Sequence, residues 1–153
     1  MSKLELKIPP VAIFLLFAAV MWVAAATTED YRFNGLFRSI LIALTLFVSA
    51  VFGLAGIISF KRASTTVHPL KPERSSSLVT SGIFRLSRNP MYLALLLALL
   101  AWGLYLSNLY AVAIASLFVP WMNQFQIRPE ERAMEKLFAQ EFNDYREATR
   151  RWL

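Results

Sequence analysis

The segment Gly82-Ile83-Phe84-Arg85-Leu86-Ser87-Arg88-Asn89-Pro90-Met91-Tyr92 places two guanidiniums, an amide and a phenol at the start of a long uncharged apolar run, with no polar spacer between them. Arginines at such a boundary can orient a carboxylate through a forked pair of hydrogen bonds or contact lipid phosphates. A second polar cluster, Arg128-Pro129-Glu130-Glu131, stands just past the end of the next apolar run. A helical hairpin between the two clusters would bring them to one membrane face, so together they read as one candidate site.

The elements that must position these groups follow from composition. Of 153 residues 57% are hydrophobic and 17% charged, and the mean hydropathy is +0.48, which is too oily for an ordinary soluble domain. Four uncharged runs carry the apolar content: about Ile8 to Thr28, Ser39 to Phe60, Met91 to Ser107 and Leu109 to Ile127. A helix rises about 1.5 Å per residue and the hydrocarbon core is roughly 30 Å thick, so each run suffices for one crossing, the third being the shortest. The expectation is an all-α polytopic membrane protein of four transmembrane helices plus a C-terminal amphipathic helix. Residues 1–153 form one integral-membrane domain, with scaffold helices in 1–60 and the more chemical half in 61–153.

Charge gives the orientation. Of the sixteen Lys and Arg residues, all but Arg32 and Arg38 fall in the N-terminal tail, the segment from 61 to 90, or the tail after 127, which share one face. The positive-inside rule makes that face cytoplasmic, with both termini on it, and locates the chain in an inner (plasma) membrane. The net charge of +6 then reads as attraction to anionic headgroups. No basic-aromatic module indicates nucleic acid. Lys3, Lys7 and Ala24-Ala25-Ala26 resemble a secretory signal, but the apolar run is long for one, and its removal would destroy the charge asymmetry. With no cysteine, disulfides, thiolate metal sites and cysteine nucleophiles are excluded, and His68 as the single histidine excludes a histidine-rich metal centre.

Ser49, Gly53 and Gly56 lie near one side of the second run and would let a neighbouring helix approach closely. The loop from Lys61 to Arg88, with Pro69, Pro72 and Ser75-Ser76-Ser77, reads as irregular with one short helical piece near Ser77 to Thr80. Ser107-Asn108 is so short a connection that the helices it joins are antiparallel neighbours. In the fourth run Pro120 would kink the helix, and Asn123, Gln124 and Gln126 after it must face protein, ligand or headgroups. From Pro129 to Trp152, Met134, Leu137, Phe138, Phe142, Tyr145 and Trp152 recur at spacings of three and four. Arg132, Lys136, Gln140, Asp144 and Arg151 take the other face, as in an amphipathic helix that lies on the membrane or caps the bundle.

The string from Leu78 to Tyr92, followed one hairpin later by Glu130-Glu131 and then by Leu137-Phe138, Glu141 and Tyr145, resembles the isoprenylcysteine carboxyl methyltransferase family, which is grouped with the phospholipid methyltransferases. The resemblance covers roughly residues 65 to 153. It implies an integral-membrane methyltransferase that binds S-adenosylmethionine between the last helices and the C-terminal segment and takes a lipophilic or lipid substrate from the bilayer. By position it implies that Arg88, Asn89, Tyr92 and Tyr145 line the cofactor pocket with Gly82 allowing close backbone approach, and that Glu130 or Glu131 accepts hydrogen bonds from the cofactor. Arg128 and Glu131 are its catalytic candidates. The chain departs from the family at Asn89, where His is common and could titrate, at Ala139, where Gly is usual, and at Phe142, where Tyr is frequent.

Methyl transfer from a sulfonium to a carboxylate annihilates charge and gains from a site shielded from water. An amine acceptor would first have to lose a proton, which Glu131 could take. Each residue also has a plain structural reading: Asn89-Pro90 as N-cap and first helical position, Glu130 and Glu131 as acids favoured in a helix's first turn, Arg85 and Arg88 as phosphate contacts. A reductase of the related sterol-reductase architecture, with a nicotinamide cofactor, and a non-enzymatic scaffold that binds headgroups are the alternatives.

Overall fold

A computed structural model describes residues 5–29, 35–63 and 77–153. Among them there is no strand; the order is α1 (Pro10–Thr27), α2 (Gly35–Arg62), a 3-10 turn (Gly82–Arg85), α3 (Pro90–Leu106), α4 (Leu109–Ser116), α5 (Phe118–Met122), a π-turn (Asn123–Ile127) and α6 (Arg128–Ala148). Lys3, Asp30, Tyr31, Arg32, His68 and the proline- and serine-rich part of the long loop lie outside the described residues. Residues 77–80 are not helical, and the short helical piece comes later, at Gly82–Arg85.

Two of the helices, α1 and α2, are long and apolar enough to cross a membrane, and α3, at 17 residues, falls just short. Both α1 and α3 begin with proline in the first turn, where the missing N–H would have had no helical partner anyway. Large apolar side chains such as Leu15, Trp22, Phe37, Phe47 and Leu54 point outward from α1 and α2, a continuous apolar face that in water would drive aggregation and in lipid is solvated.

The small residues of α2 do admit α3. A methyl group on Gly56 would stand 2.8 Å from Met91 Cγ, Gly53 faces Ala94, and Ser49 Oγ donates to Ala94 O at 2.8 Å. On the other side of α3, Ile13 and Met21 of α1 pack with Leu99, Ala111, Ala115, Phe118 and Met122 into the main core. The Ser107-Asn108 turn closes the α3–α4 hairpin: Ser107 is left-handed at φ 53°, and Asn108 Oδ1 accepts from Ala111 N at 2.9 Å as N-cap. Asn108 Nδ2 also donates to Thr28 Oγ1 at 2.6 Å, and Arg38 donates to Ser107 Oγ. The end of α1, the start of α2 and this turn therefore meet at one end of the bundle.

The expected fourth helix is interrupted. Pro120 has no N–H to give Ser116 O, four residues back, and its ring crowds that carbonyl; α4 ends at Ser116 and α5 begins at Phe118. The π-turn follows directly and runs into α6 without a break. Its irregular bonding leaves Phe125 O to accept from Leu6 N at 3.1 Å, a common use of a local π segment. Gln126 Nε2 donates to Ile8 O at 2.6 Å and Arg132 pairs with Glu5 at 2.7 Å, fastening the N-terminal segment across the same place.

The single amphipathic tail helix is corrected most. Ala139 has φ 41° and ψ −111° inside α6, a conformation that L side chains avoid, and the chain bends there into two arms, 128–138 and 140–148. The second arm carries Phe142 and Tyr145 onto Val79 and Phe84, with Phe60 edge-on to Phe84 at 5.2 Å. The helix stops at Ala148, so Trp152 and Arg151 belong to no helical face; Trp152 instead packs on the main core. The tail caps the bundle. Relief of the strained backbone by Ala139→Gly is expected to raise stability by about 1 kcal/mol, read as a higher midpoint of thermal unfolding in detergent, whereas Ala139→Val should lower it.

Candidate active site

The link between the 3-10 turn and α3 is tied to the C-terminal strap, residues 149–153, by backbone and side chain alike. Arg88 N donates to Arg150 O at 3.0 Å, Ser87 Oγ to Arg151 O at 3.4 Å, and Asn89 Nδ2 to Arg151 O at 2.9 Å. Asn89 thus occupies the N-cap position of α3 without capping it with its side chain; the amide is spent on the strap. Ser87 is fully buried and also accepts from Asn89 N at 3.1 Å.

Arg88 organises the cluster. Its Nη1 donates to Arg146 O at 2.9 Å and Thr149 O at 2.5 Å, and its Nη2 to Glu131 Oε1 at 2.8 Å. In a straight helix, residues 131 and 146 would stand about 22 Å apart; the bend at Ala139 brings both around one guanidinium. Arg151 closes the other side of Glu131, with Nε to Oε1 at 3.0 Å and Nη2 to Oε2 at 2.6 Å. This forked geometry is the strongest form of the pair. One carboxylate between two guanidiniums leaves a net positive charge, and Arg88 Nε is buried with no partner among the described residues. The cluster therefore still offers a buried donor to an anion.

Glu130 lies beside this triad and answers to a different neighbour. Tyr92, buried in the first turn of α3, donates to Glu130 Oε1. Burial pushes the Glu130 carboxyl up to about 8, the Tyr92 hydrogen bond offsets part of that, and the charge of Glu131 adds to it. At Glu131 burial also acts upward, but the hydrogen bonds and charges of Arg151 and Arg88 outweigh it and hold the group below its ordinary value. Two adjacent carboxyls are thereby driven apart, one close to neutral and one firmly ionised, a division that suits acid-base work by the first and electrostatic positioning by the second.

Arg88, Asn89, Tyr92, Glu130 and Glu131 are thus brought together. Gly82 and Arg128 stand apart from them, and Tyr145, close enough to Arg88 to feel its charge, makes its side-chain hydrogen bond elsewhere. Gly82 has φ 63°, and a Cβ on it would lie 3.0 Å from Ser59 Oγ, so it seats the 3-10 turn against α2. Tyr145 donates to Phe84 O at 2.7 Å, its hydroxyl held far above its usual range by burial despite the nearby Arg88 charge. Arg128 is exposed and donates to Gln124 Oε1 at 2.8 Å. Sequence reasoning missed Arg151, Ser87 and the contact of Trp152 Nε1 with Asn123 Oδ1 at 3.1 Å. Arg151 had only its charge as a signal, because its role depends on the chain turning back after Ala148.

The two carboxyls give opposite pH signatures. Glu130 binds its proton more tightly folded than unfolded, so its contribution is full below about 4.5 and is lost as pH rises toward about 8. Glu131 binds its proton less tightly folded, so its contribution is present above its ordinary value and is lost on acidification. In thermal unfolding across pH 5 to 9, Glu130→Gln should remove the decline between about 5 and 8. Glu131→Gln should cost roughly 2 to 3 kcal/mol at neutral pH, less than for a fully buried pair because Arg151 keeps some solvent.

Comparison with known proteins adds an independent line. A family model described as phospholipid methyltransferase matches residues 37–141, more than half of the chain. An uncharacterized protein of Haemophilus influenzae is 48% identical over 63 residues, which is 41% of this chain and all of that relative. No solved structure matches. The matched span runs from the start of α2 through the first arm of α6 to two residues past Ala139 and includes Arg88, Tyr92, Glu130 and Glu131, and the chain belongs to the phospholipid methyltransferase family.

Proposed function

We propose that this protein is an integral-membrane enzyme that transfers a methyl group from S-adenosylmethionine to a lipophilic acceptor, with its site where the start of α3 meets α6. The observation that carries this reading is the pair of differently tuned carboxyls held between Arg88, Arg151 and Tyr92. The family supports membrane methyltransferase chemistry on lipids; the cofactor, the acceptor and the residue roles are the proposal.

The residues present suit the cofactor. Arg88 Nε, buried and with no partner among the described residues, matches a carboxylate such as that of the methionyl group, and Glu130 can accept from a ribose hydroxyl or the amino group. S-adenosylmethionine would supply an electrophilic methyl carbon on a sulfonium sulfur. Both oxygens of Glu131 are engaged by arginines, so its part is to hold Arg88 and Arg151 in place. Glu130 rather than Glu131 is then the group poised to exchange a proton near neutrality. That favours a phospholipid amine as acceptor: Glu130 would take the ammonium's proton and leave the nitrogen lone pair free for the electrophilic methyl that bound S-adenosylmethionine would supply, with S-adenosylhomocysteine as the other product. An isoprenylcysteine-type carboxylate is the second reading, favoured by the surplus guanidinium charge. Arg128, exposed at the rim, would meet a headgroup phosphate.

We read four crossings, with α4, α5 and the π-turn together spanning the fourth, since nineteen residues at about 1.5 Å each cover most of a roughly 30 Å core. Both termini lie on the cytoplasmic side. In this chain without native cysteine, cysteines placed at Leu109 and at Lys136 are expected to label from opposite sides of sealed vesicles; labelling from one side would refute this topology.

The reaction is tested with purified protein, methyl-labelled S-adenosylmethionine and vesicles containing phosphatidylethanolamine, set against a prenylcysteine analogue. Label is expected in the phospholipid, with a rate that rises through about pH 8, the value to which Glu130 is pushed. Glu130→Gln should lower the rate about 100-fold or more and flatten its acid limb, and Tyr92→Ala should weaken S-adenosylhomocysteine binding. Label only in the prenylcysteine would select the second reading; no label in either, with no saturable S-adenosylhomocysteine binding, would overturn the assignment.

A further inference from the structure

We propose a second lipid site at the opposite end of the bundle: an anionic phospholipid resident between α1 and α2, with one acyl chain in a groove on α3 and its phosphate at Arg38. The groove is lined by Phe14 and Ala18 of α1, Ile42 and Leu46 of α2, and Ala98 and Trp102 of α3, and is an open depression of about 490 Å³. That volume is in the range of small-molecule sites, about 300 to 1,000 Å³. Its walls are fixed. Trp102 Nε1 donates to Ala18 O at 3.1 Å, and the indole stacks on Tyr105 at 5.3 Å with 15° between the planes, so only ring faces and methyl groups meet the space.

The charge that selects the occupant stands at one end. Arg38 is one helical turn before Ile42 and donates to Ser107 Oγ, two residues past Tyr105, so the guanidinium lies one turn beyond the groove's lining on α2 and next to its last lining residue on α3. A guanidinium has five N–H donors, and the bond to Ser107 uses one of them. A chain running inward from there passes Ile42 and Leu46 and stays in hydrocarbon along about 10 Å of α3, from Tyr105 to Ala98. The lining stops at Ala98, about 9 Å along the helix from Tyr92. The headgroup of a substrate bound at the Glu130 end is therefore remote from Arg38, and a lipid whose phosphate sits at Arg38 enters from the opposite end of the bundle. The inference needs only that the bundle lies in a bilayer; it does not need the methyltransferase reading.

The test uses the full chain in phosphatidylcholine bilayers titrated with phosphatidylglycerol carrying brominated acyl chains, which quench tryptophan on contact. The Trp102 signal is taken as the difference from Trp102→Phe, and Trp22, exposed on the outer face of α1, serves as the reference for ordinary boundary lipid through Trp22→Phe. Quenching of Trp102 is expected at a phosphatidylglycerol fraction about tenfold below that needed for Trp22, as one charge-assisted contact would give. Arg38→Gln should abolish this difference, Arg38→Lys should keep most of it, and Ala98→Leu should block quenching of Trp102 while leaving Trp22 unchanged. Parallel quenching of the two tryptophans in the unaltered protein would overturn the proposal. So would protection of Trp102 from every lipid together with a dimer in detergent, which would assign the groove to a second copy.

Discussion

The architecture at the candidate site depends on one backbone constraint, the reversal at Ala139. Arg88 reaches a carboxylate near the start of α6 and carbonyls near its end with the same planar group, and no straight helix offers both. The bend decides which side chains are neighbours: with it, Glu131, Arg146 and Thr149 surround Arg88; without it, the second arm would extend away from the bundle. The cost is a positive φ at a residue with a side chain. It is offset by the burial of Phe142 and Tyr145 against the 3-10 turn and by the charge-assisted bonds that the closed arrangement permits.

The apolar part of the fold was legible because it rests on period and length. The first three uncharged runs, the Ser107-Asn108 hairpin and the small-residue face of α2 are local properties and appear as helices and contacts where the sequence places them, while the fourth run is broken into α4, α5 and the π-turn around Pro120. The tail was not legible for the same reason. Its apolar residues recur at helical spacing on both sides of Ala139, so periodicity reports one helix where there are two arms. The usual glycine at this position in the resembling family marked the place but not its consequence. The position of a reversal is set by a single residue's φ, which no amphipathic pattern encodes.

Within the site, the groups that sequence reasoning gathered by type were those attached to helix starts: Asn89 and Tyr92 at α3, Glu130 and Glu131 at α6. A helix start is fixed by local signals, and a hairpin brings two starts together once the intervening elements are known. Arg151 carries no such signal, since it acts from an irregular strap whose path is set by bonds to Arg88 and Asn89 themselves. The strap and the site are mutually dependent, which explains why Asn89 gives up the capping role that its position before a proline would otherwise favour.

The different states of the adjacent acids follow from the same geometry. On a helix, consecutive residues point about 100° apart, so Glu130 and Glu131 cannot share a partner: one faces α3 and meets a phenol, the other faces the strap and meets two guanidiniums. A phenol donates a single neutral hydrogen bond and leaves the cost of burial largely unmet, whereas two guanidiniums supply full charge at contact distance. Exchanging the two residues' neighbours would exchange their protonation behaviour. The sequence pair Glu-Glu is therefore not a repeated acid but two positions separated by a third of a turn. The hairpin that puts Tyr92 on one side and the reversal that puts Arg151 on the other supply the asymmetry that the primary structure lacks.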